Sequence, residues 1–140
     1  MTNHSHKITV EAPKQQVYEA ITTARGLQGW YTASVQGAAG HGERIQLDFE
    51  SKAGPFHWKV DEIDPGTVVR WECVEGPGNS RGTTATFRLV EADGKTSVEL
   101  DHDGIDETDP KRSTCNSMWG ALMLHLKRFI ETGKTDPAFV

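Results

Sequence analysis

The side chains best suited to chemistry in this chain are one histidine and three tryptophans: His102, Trp58, Trp71 and Trp119. In Val98-Glu99-Leu100-Asp101-His102-Asp103 a strand period of two puts Val98, Leu100 and His102 on one face and Glu99, Asp101 and Asp103 on the other. The Asp-His-Asp run therefore cannot converge on a metal. It leaves a single imidazole on an apolar face, able to hydrogen-bond a carbonyl or hydroxyl or to move a proton near neutral pH. The plainer reading is a structural histidine bonded to a helix side chain or a water. The tryptophans allow the same two readings, a ring wall with N–H groups for a polar atom or plain core. Cys115 shares a helical stripe with Met118 and Leu122, so a Cys115–His102 nucleophile and base is conceivable, although a thiol in apolar surroundings is usually inert.

The remaining polar residues carry less. His4 and His6 sit near a terminus expected to fray, and His41, His57 and His125 fall on a loop, an outer strand face and a helix flank. No spacing matches a zinc motif, Gly37 to Gly42 lacks the order of a nucleotide fingerprint, and GxSxG is absent. No metal or cofactor is implied. Asp106, Glu107 and Asp109 read as charges favouring the start of the last helix. Cys73 and Cys115 lie far apart in sequence and suit reduced, buried thiols better than a disulfide.

The elements that must position these groups follow from periodicity. Ile8 and Val10 alternate with polar neighbours in a first strand, Ala12-Pro13 opens a helix with Val17, Ala20, Ile21 and Ala24 on one face, and Gly26 and Gly29 predict its break before Trp30-Tyr31. A meander of about six strands follows. It runs through a weak Tyr31–Val35 strand, Arg44–Glu50, Pro55–Ile63 and the Asp64-Pro65-Gly66 turn to strands carrying Val69, Trp71 and Cys73, then Ala85, Phe87 and Leu89. Gly76 to Ser80 is a loop, and Ala92-Asp93-Gly94-Lys95 is a tight turn into the His102 strand. The last helix, with Pro110 at its start and Gly133 at its stop, stripes Cys115, Met118, Trp119, Leu122, Leu126, Phe129 and Ile130 on one side. This order predicts one α+β domain over residues 1–140, in which an antiparallel sheet holds the closing helix and its twist leaves a gap beneath it.

Composition narrows the partners. A net charge of −5 opposes nucleic acid, and no run approaches the ~18 apolar residues of a membrane span. Without an apolar leader after Met1, the expected location is the cytoplasm. An exposed edge strand makes a homodimer possible.

The chain resembles the START-like helix-grip superfamily, SRPBCC, in the branch related to the activator of the heat-shock-protein ATPase. The likeness rests on Ile8–Pro13 with Val17–Thr22, Leu27–Tyr31, Val60–Pro65 before Val69-Arg70-Trp71, Thr96–Gly104, and the Trp119–Leu126 helix ending at Gly133. It implies a helix-grip fold, a curved antiparallel sheet of about seven strands wrapped around a long C-terminal helix with a broken helix after the first strand. It also implies a cavity for an apolar or amphipathic small molecule, lined by Phe56, Trp58, Trp71, Phe87, Leu100, His102, Met118, Trp119 and Leu122. A cytoplasmic binding protein is thus the leading expectation. The alternatives are a cyclase- or hydrolase-like enzyme on an aromatic or polyketide-type substrate, and a co-chaperone-like interaction module with a closed interior.

Overall fold

The computed structural model describes residues 4–32, 34–37, 44–48, 56–64, 67–76, 81–104, 108 and 112–138. Outside these lie Pro65-Gly66, residues 38–43 and 77–80, Asp106, Glu107, Asp109 and Pro110, together with the side chains of Phe56 and Cys115. Strand β1 (His4–Val10) leads into helices α1 (Lys14–Thr22) and α2 (Ala24–Trp30). Then come β2 (Ser34–Gly37), β3 (Arg44–Asp48), β4 (Phe56–Asp64), β5 (Val68–Glu75), β6 (Thr84–Ala92), β7 (Lys95–Asp103) and helix α3 (Arg112–Thr132). All described strands pair antiparallel in one sheet of seven, in the order β1-β7-β6-β5-β4-β3-β2.

The meander ends where the chain began. β7 lies beside β1 with Ile8 opposite Val98, His6 opposite Leu100 and His4 opposite His102. β6 and β7 join through Asp93 (φ 54°) and Gly94 (φ 75°), two successive positive φ values of the kind that match the twist of a two-residue hairpin. Residues 96, 98, 100 and 102 of β7 are buried and their neighbours more exposed, as the alternation requires. Trp119, Leu122 and Leu126 turn the buried stripe of α3 to the sheet, and Gly133 stops the helix with its N–H on Phe129 O.

The helix break falls at Thr23, three residues before the first glycine that was expected to cause it. Thr23 is extended, and its hydroxyl oxygen caps α2 by accepting from the Gly26 N–H at 3.0 Å. Gly26 and Gly29 lie inside α2 and serve close packing. A Cβ on Gly26 would stand 2.6 Å from Ala20 Cα and 2.7 Å from the Glu19 and Ala20 carbonyl oxygens, and one on Gly29 would run into the Phe129 ring. Helix propensity alone favours Gly26→Ala by about 1 kcal/mol. Because the obstacle is backbone, the substitution is expected to destabilise by about 2 kcal/mol net, read by urea unfolding; a stabilised variant would show that α1 and α2 do not meet this closely.

Two further differences concern the ends. Tyr31 caps α2 instead of opening a strand, and the terminal segment returns over it: Asp136 N–H donates to Gly29 O and Ala138 N–H to Trp30 O, both at 3.0 Å. On β1, part of the free edge is closed by an i,i+4 pair of α3, Lys127 donating to Thr9 O and Glu131 accepting from Glu11 N–H. That half of the edge is unavailable for strand pairing.

Candidate functional site

The inner face of the sheet is built from alternate residues of four neighbouring strands. Trp58 and Val60 come from β4, Val69, Trp71 and Cys73 from β5, Ala85 and Phe87 from β6, and Val98, Leu100 and His102 from β7. Register places Ala85 between Trp71 and His102, and Phe87 between Val69 and Leu100. The small Ala85 leaves room for the large rings beside it. From above, α3 lowers Trp119 among them, with ring centroids 5.4 Å from His102, 6.3 Å from Trp58 and 6.5 Å from Phe87. Trp71 lies 4.8 Å from Phe87 and 5.8 Å from Trp58.

The structure therefore brings together Trp58, Trp71, Phe87, Leu100, His102, Trp119 and Leu122, all buried, with Met118 half-buried against them. Of Phe56 only the backbone is described, opposite Leu47. The gap expected between sheet and helix is closed where these residues meet. A side chain bordering a water-sized void keeps accessible surface on that side, and Trp71, Phe87, Leu100 and Leu122 are 0% exposed. Rings from elsewhere fill the space. Trp30, the last residue of α2, plugs it: fully buried, stacked 6.3 Å from Trp71, its Nε1–H donating to Ala20 O at 2.8 Å. Tyr31 adds a ring 6.0 Å from Trp119 and 6.3 Å from Trp71.

Sequence reasoning also missed His4. Instead of fraying it begins β1, is buried, and stacks on His102 with ring centroids 5.9 Å apart. The signal was present, since His4, His6, Ile8 and Val10 keep one period-two face. His6 reaches α3 through Asn116 Oδ1 at 3.0 Å. Burial, and secondarily the neighbouring His4 and His6, push the His102 pKa down from 6.5 to about 4, so the imidazole is neutral at pH 7. Cys73 is a free thiol that burial pushes up to about 11, which makes it a poor nucleophile.

Three polar atoms in this shell stand apart from the usual pairing of buried groups. Trp71 Nε1, Trp119 Nε1 and His102 Nδ1 are buried without a hydrogen-bond partner among the described residues. Among those residues no three His, Cys, Asp or Glu side chains are placed to hold a metal ion, and no helix is long and apolar enough to cross a membrane. A surface groove of about 400 Å³ lies elsewhere, between α1, α2 and the end of α3, with Gln16, Glu19, Arg25, Phe129 and Ile130 in its walls.

An antiparallel sheet whose aromatic face is closed by one long C-terminal helix, with two short helices after the first strand, defines a START-like domain of helix-grip type. Within that class the chain belongs to the Activator of Hsp90 ATPase homolog 1-like proteins, whose family model matches residues 11–131. It is similar to the Aha1 protein of Colwellia psychrerythraea, solved in solution as a dimer, at 31% identity over 94% of this chain and 97% of that one, with a TM-score of 0.81. The fold is shared by DynU16 from the dynemicin biosynthetic locus, at 22% identity and a TM-score of 0.76 over 94% of this chain and 48% of that one. The Bacillus halodurans protein BH1534 shares it as well, at 22% identity and a TM-score of 0.71 over 91% and 95% of the two chains. No curated protein matches the chain.

Proposed function

We propose that the chain is a cytoplasmic, non-catalytic binding module that takes an apolar or amphipathic small molecule between the sheet and α3. The observation that carries this reading is the set of unpartnered polar atoms, Trp71 Nε1, Trp119 Nε1 and His102 Nδ1, inside an aromatic shell. Leaving a buried donor or acceptor unpaired costs about 1–3 kcal/mol, whereas one aromatic pair contributes about 0.5–1.5 kcal/mol beyond its area. Giving up a ring contact or two around Trp119 for a guest that pairs these atoms is therefore energetically accessible. A cyclase- or hydrolase-like activity would rest on His102 as acid–base group, and a base with a pKa of about 4 takes up few protons at neutral pH.

Titration with the neutral fluorophore Nile red should give saturable uptake with quenched tryptophan emission. Ala85→Phe, which fills the place between Trp71 and His102, should weaken uptake at least tenfold. A folded protein that neither takes up the probe nor carries a compound by native mass spectrometry would sink the reading. A second reading, a protein-interaction module of the co-chaperone kind, is favoured by the sealed interior and by Leu124, which is 53% exposed on α3. The dimeric Colwellia relative supports a second copy as one partner. Sedimentation of the purified chain and pull-down from lysate then detect what Nile red does not.

A further inference from the structure

The surface groove between α1, α2 and the end of α3 lies apart from the sheet–α3 interior and has a composition of its own. One side is apolar, made by Phe129 and Ile130, which pack against the core and stay half-buried. The other carries two exposed charges, Glu19 from α1 and Arg25 from α2. Gly26 and Gly133 keep stretches of wall bare, because a Cβ on Gly26 meets α1 and Gly133 holds φ at 72°, where side chains are strained. The charged wall is also fixed in place. Thr23 Oγ1 donates to Glu19 O at 2.8 Å and accepts from Gly26 N–H at 3.0 Å, tying the end of α1 to the start of α2.

The two charges on this wall are unmatched. Lys7, Arg88, Lys95 and Lys127 each have a carboxylate partner, Glu99, Asp101, Glu11 and Glu131 respectively. Arg25, by contrast, makes no hydrogen bond or ion pair among the described residues, and Glu19 only accepts from Gln15 Nε2 at 3.2 Å. An occupant that answers both charges and the apolar side carries an apolar group between a basic and an acidic one. A groove of about 400 Å³ at the surface takes one large side chain and leaves the rest of its occupant in water, which suits a chain running on past both ends. A second copy of this chain answers less well: its exposed Val90 lies between Arg88 and Glu91, but Arg88 is held by Asp101 and Glu91 accepts from Lys14 N–H.

We infer that this groove docks a peptide segment of a partner protein, seating one large apolar side chain on Phe129 and Ile130, with a basic neighbour on Glu19 and an acidic neighbour on Arg25. Uptake of a guest beneath α3, present or absent, leaves this site untouched.

The test uses three capped, fluorescein-labelled peptides of one frame whose central triplets are Lys-Phe-Glu, Lys-Phe-Lys and Glu-Phe-Glu, read by fluorescence anisotropy on the whole chain. Lys-Phe-Glu should bind about fivefold tighter than either like-charged peptide. Since the chain carries −5, its overall field alone favours Lys-Phe-Lys, so this order singles out the groove. The advantage should fade at about 1 M salt, where screening acts within about 3 Å. Arg25→Glu, a change at an exposed position, should make Lys-Phe-Lys the tightest of the three, and the backbone N–H signals that Lys-Phe-Glu moves in the ¹⁵N-labelled protein should fall on residues 19–26 and 129–133. Equal binding of the three peptides, no binding, an order unchanged by Arg25→Glu, or signal shifts elsewhere would each overturn the inference. Free phenylalanine binding as tightly as the peptide would replace the partner segment by a small zwitterion, and self-association blocked by the peptide would replace it by a second copy.

Discussion

Trp119→Ala is expected to destabilise the domain by about 3–5 kcal/mol, the range for removing a large aromatic from a packed core. Trp119 is 1% exposed and lies ring to ring against Tyr31 after α2, Trp58 on β4, Phe87 on β6 and His102 on β7. It is thus the point at which α3 is held to three parts of the sheet and to the α2 end at once. Leu124→Ala, on the same helix at 53% exposure, serves as the control and should stay within about 0.5 kcal/mol. Urea unfolding of both variants measures the difference. A cost below about 1.5 kcal/mol for Trp119→Ala would mean that the interior is not packed as described and already has space beside this ring.

Acid should weaken the fold through His102 by about 3 kcal/mol, the linkage equivalent of moving a pKa from 6.5 in the unfolded chain to about 4 in the native one. The sign follows from which state binds the proton first. Above pH 6.5 both states are neutral at this site and the stability is whole. As the pH falls from 6.5 to 4 the unfolded chain takes up a proton that native His102 refuses, so stability drops. Below 4 both states are charged and this contribution levels off. The groups facing His102 include His4 from β1 at 5.9 Å, His6 two residues further along that strand, and Trp119 from α3. Since carboxylates and the other imidazoles also titrate, the measurement is the difference in unfolding free energy between the unmodified protein and His102→Gln across pH 4–7. The difference should change by about 3 kcal/mol over that window. A flat difference would mean that His102 is solvated and not held neutral by burial.

Most of the frame was legible from local pattern. The alternation of Val98, Leu100 and His102, the Asp93-Gly94 turn and the apolar stripe of α3 each follow from a repeat a few residues long, and local geometry sets such repeats wherever the segment lies in the fold. The candidate residues were legible for the same reason, because facing inward is a property of the strand or helix that carries them. The role of Gly26 and Gly29 was not. Their sequence suggests a break, and only the approach of Ala20 and Phe129, from α1 and α3, shows that the missing side chain is needed for contact. His4 was misjudged because nearness to a terminus says nothing of the partner strand, and β7, some hundred residues away, is what buries it.

The amino-acid sequence by itself determined the order of strands and helices and which side chains of the meander and the last helix turn inward, since these are carried by short-range periodicity and by residue type; the family showed only as a resemblance, carried by named segments in their order along the chain. Only the tertiary structure decided that Trp30 and Tyr31 enter the space beneath α3, that the rings there close on one another, and that the Trp71 and Trp119 indoles are left without partners. The reason is physical: whether an interior is filled depends on the summed volumes and separations of elements far apart in the chain, and no local repeat encodes that sum.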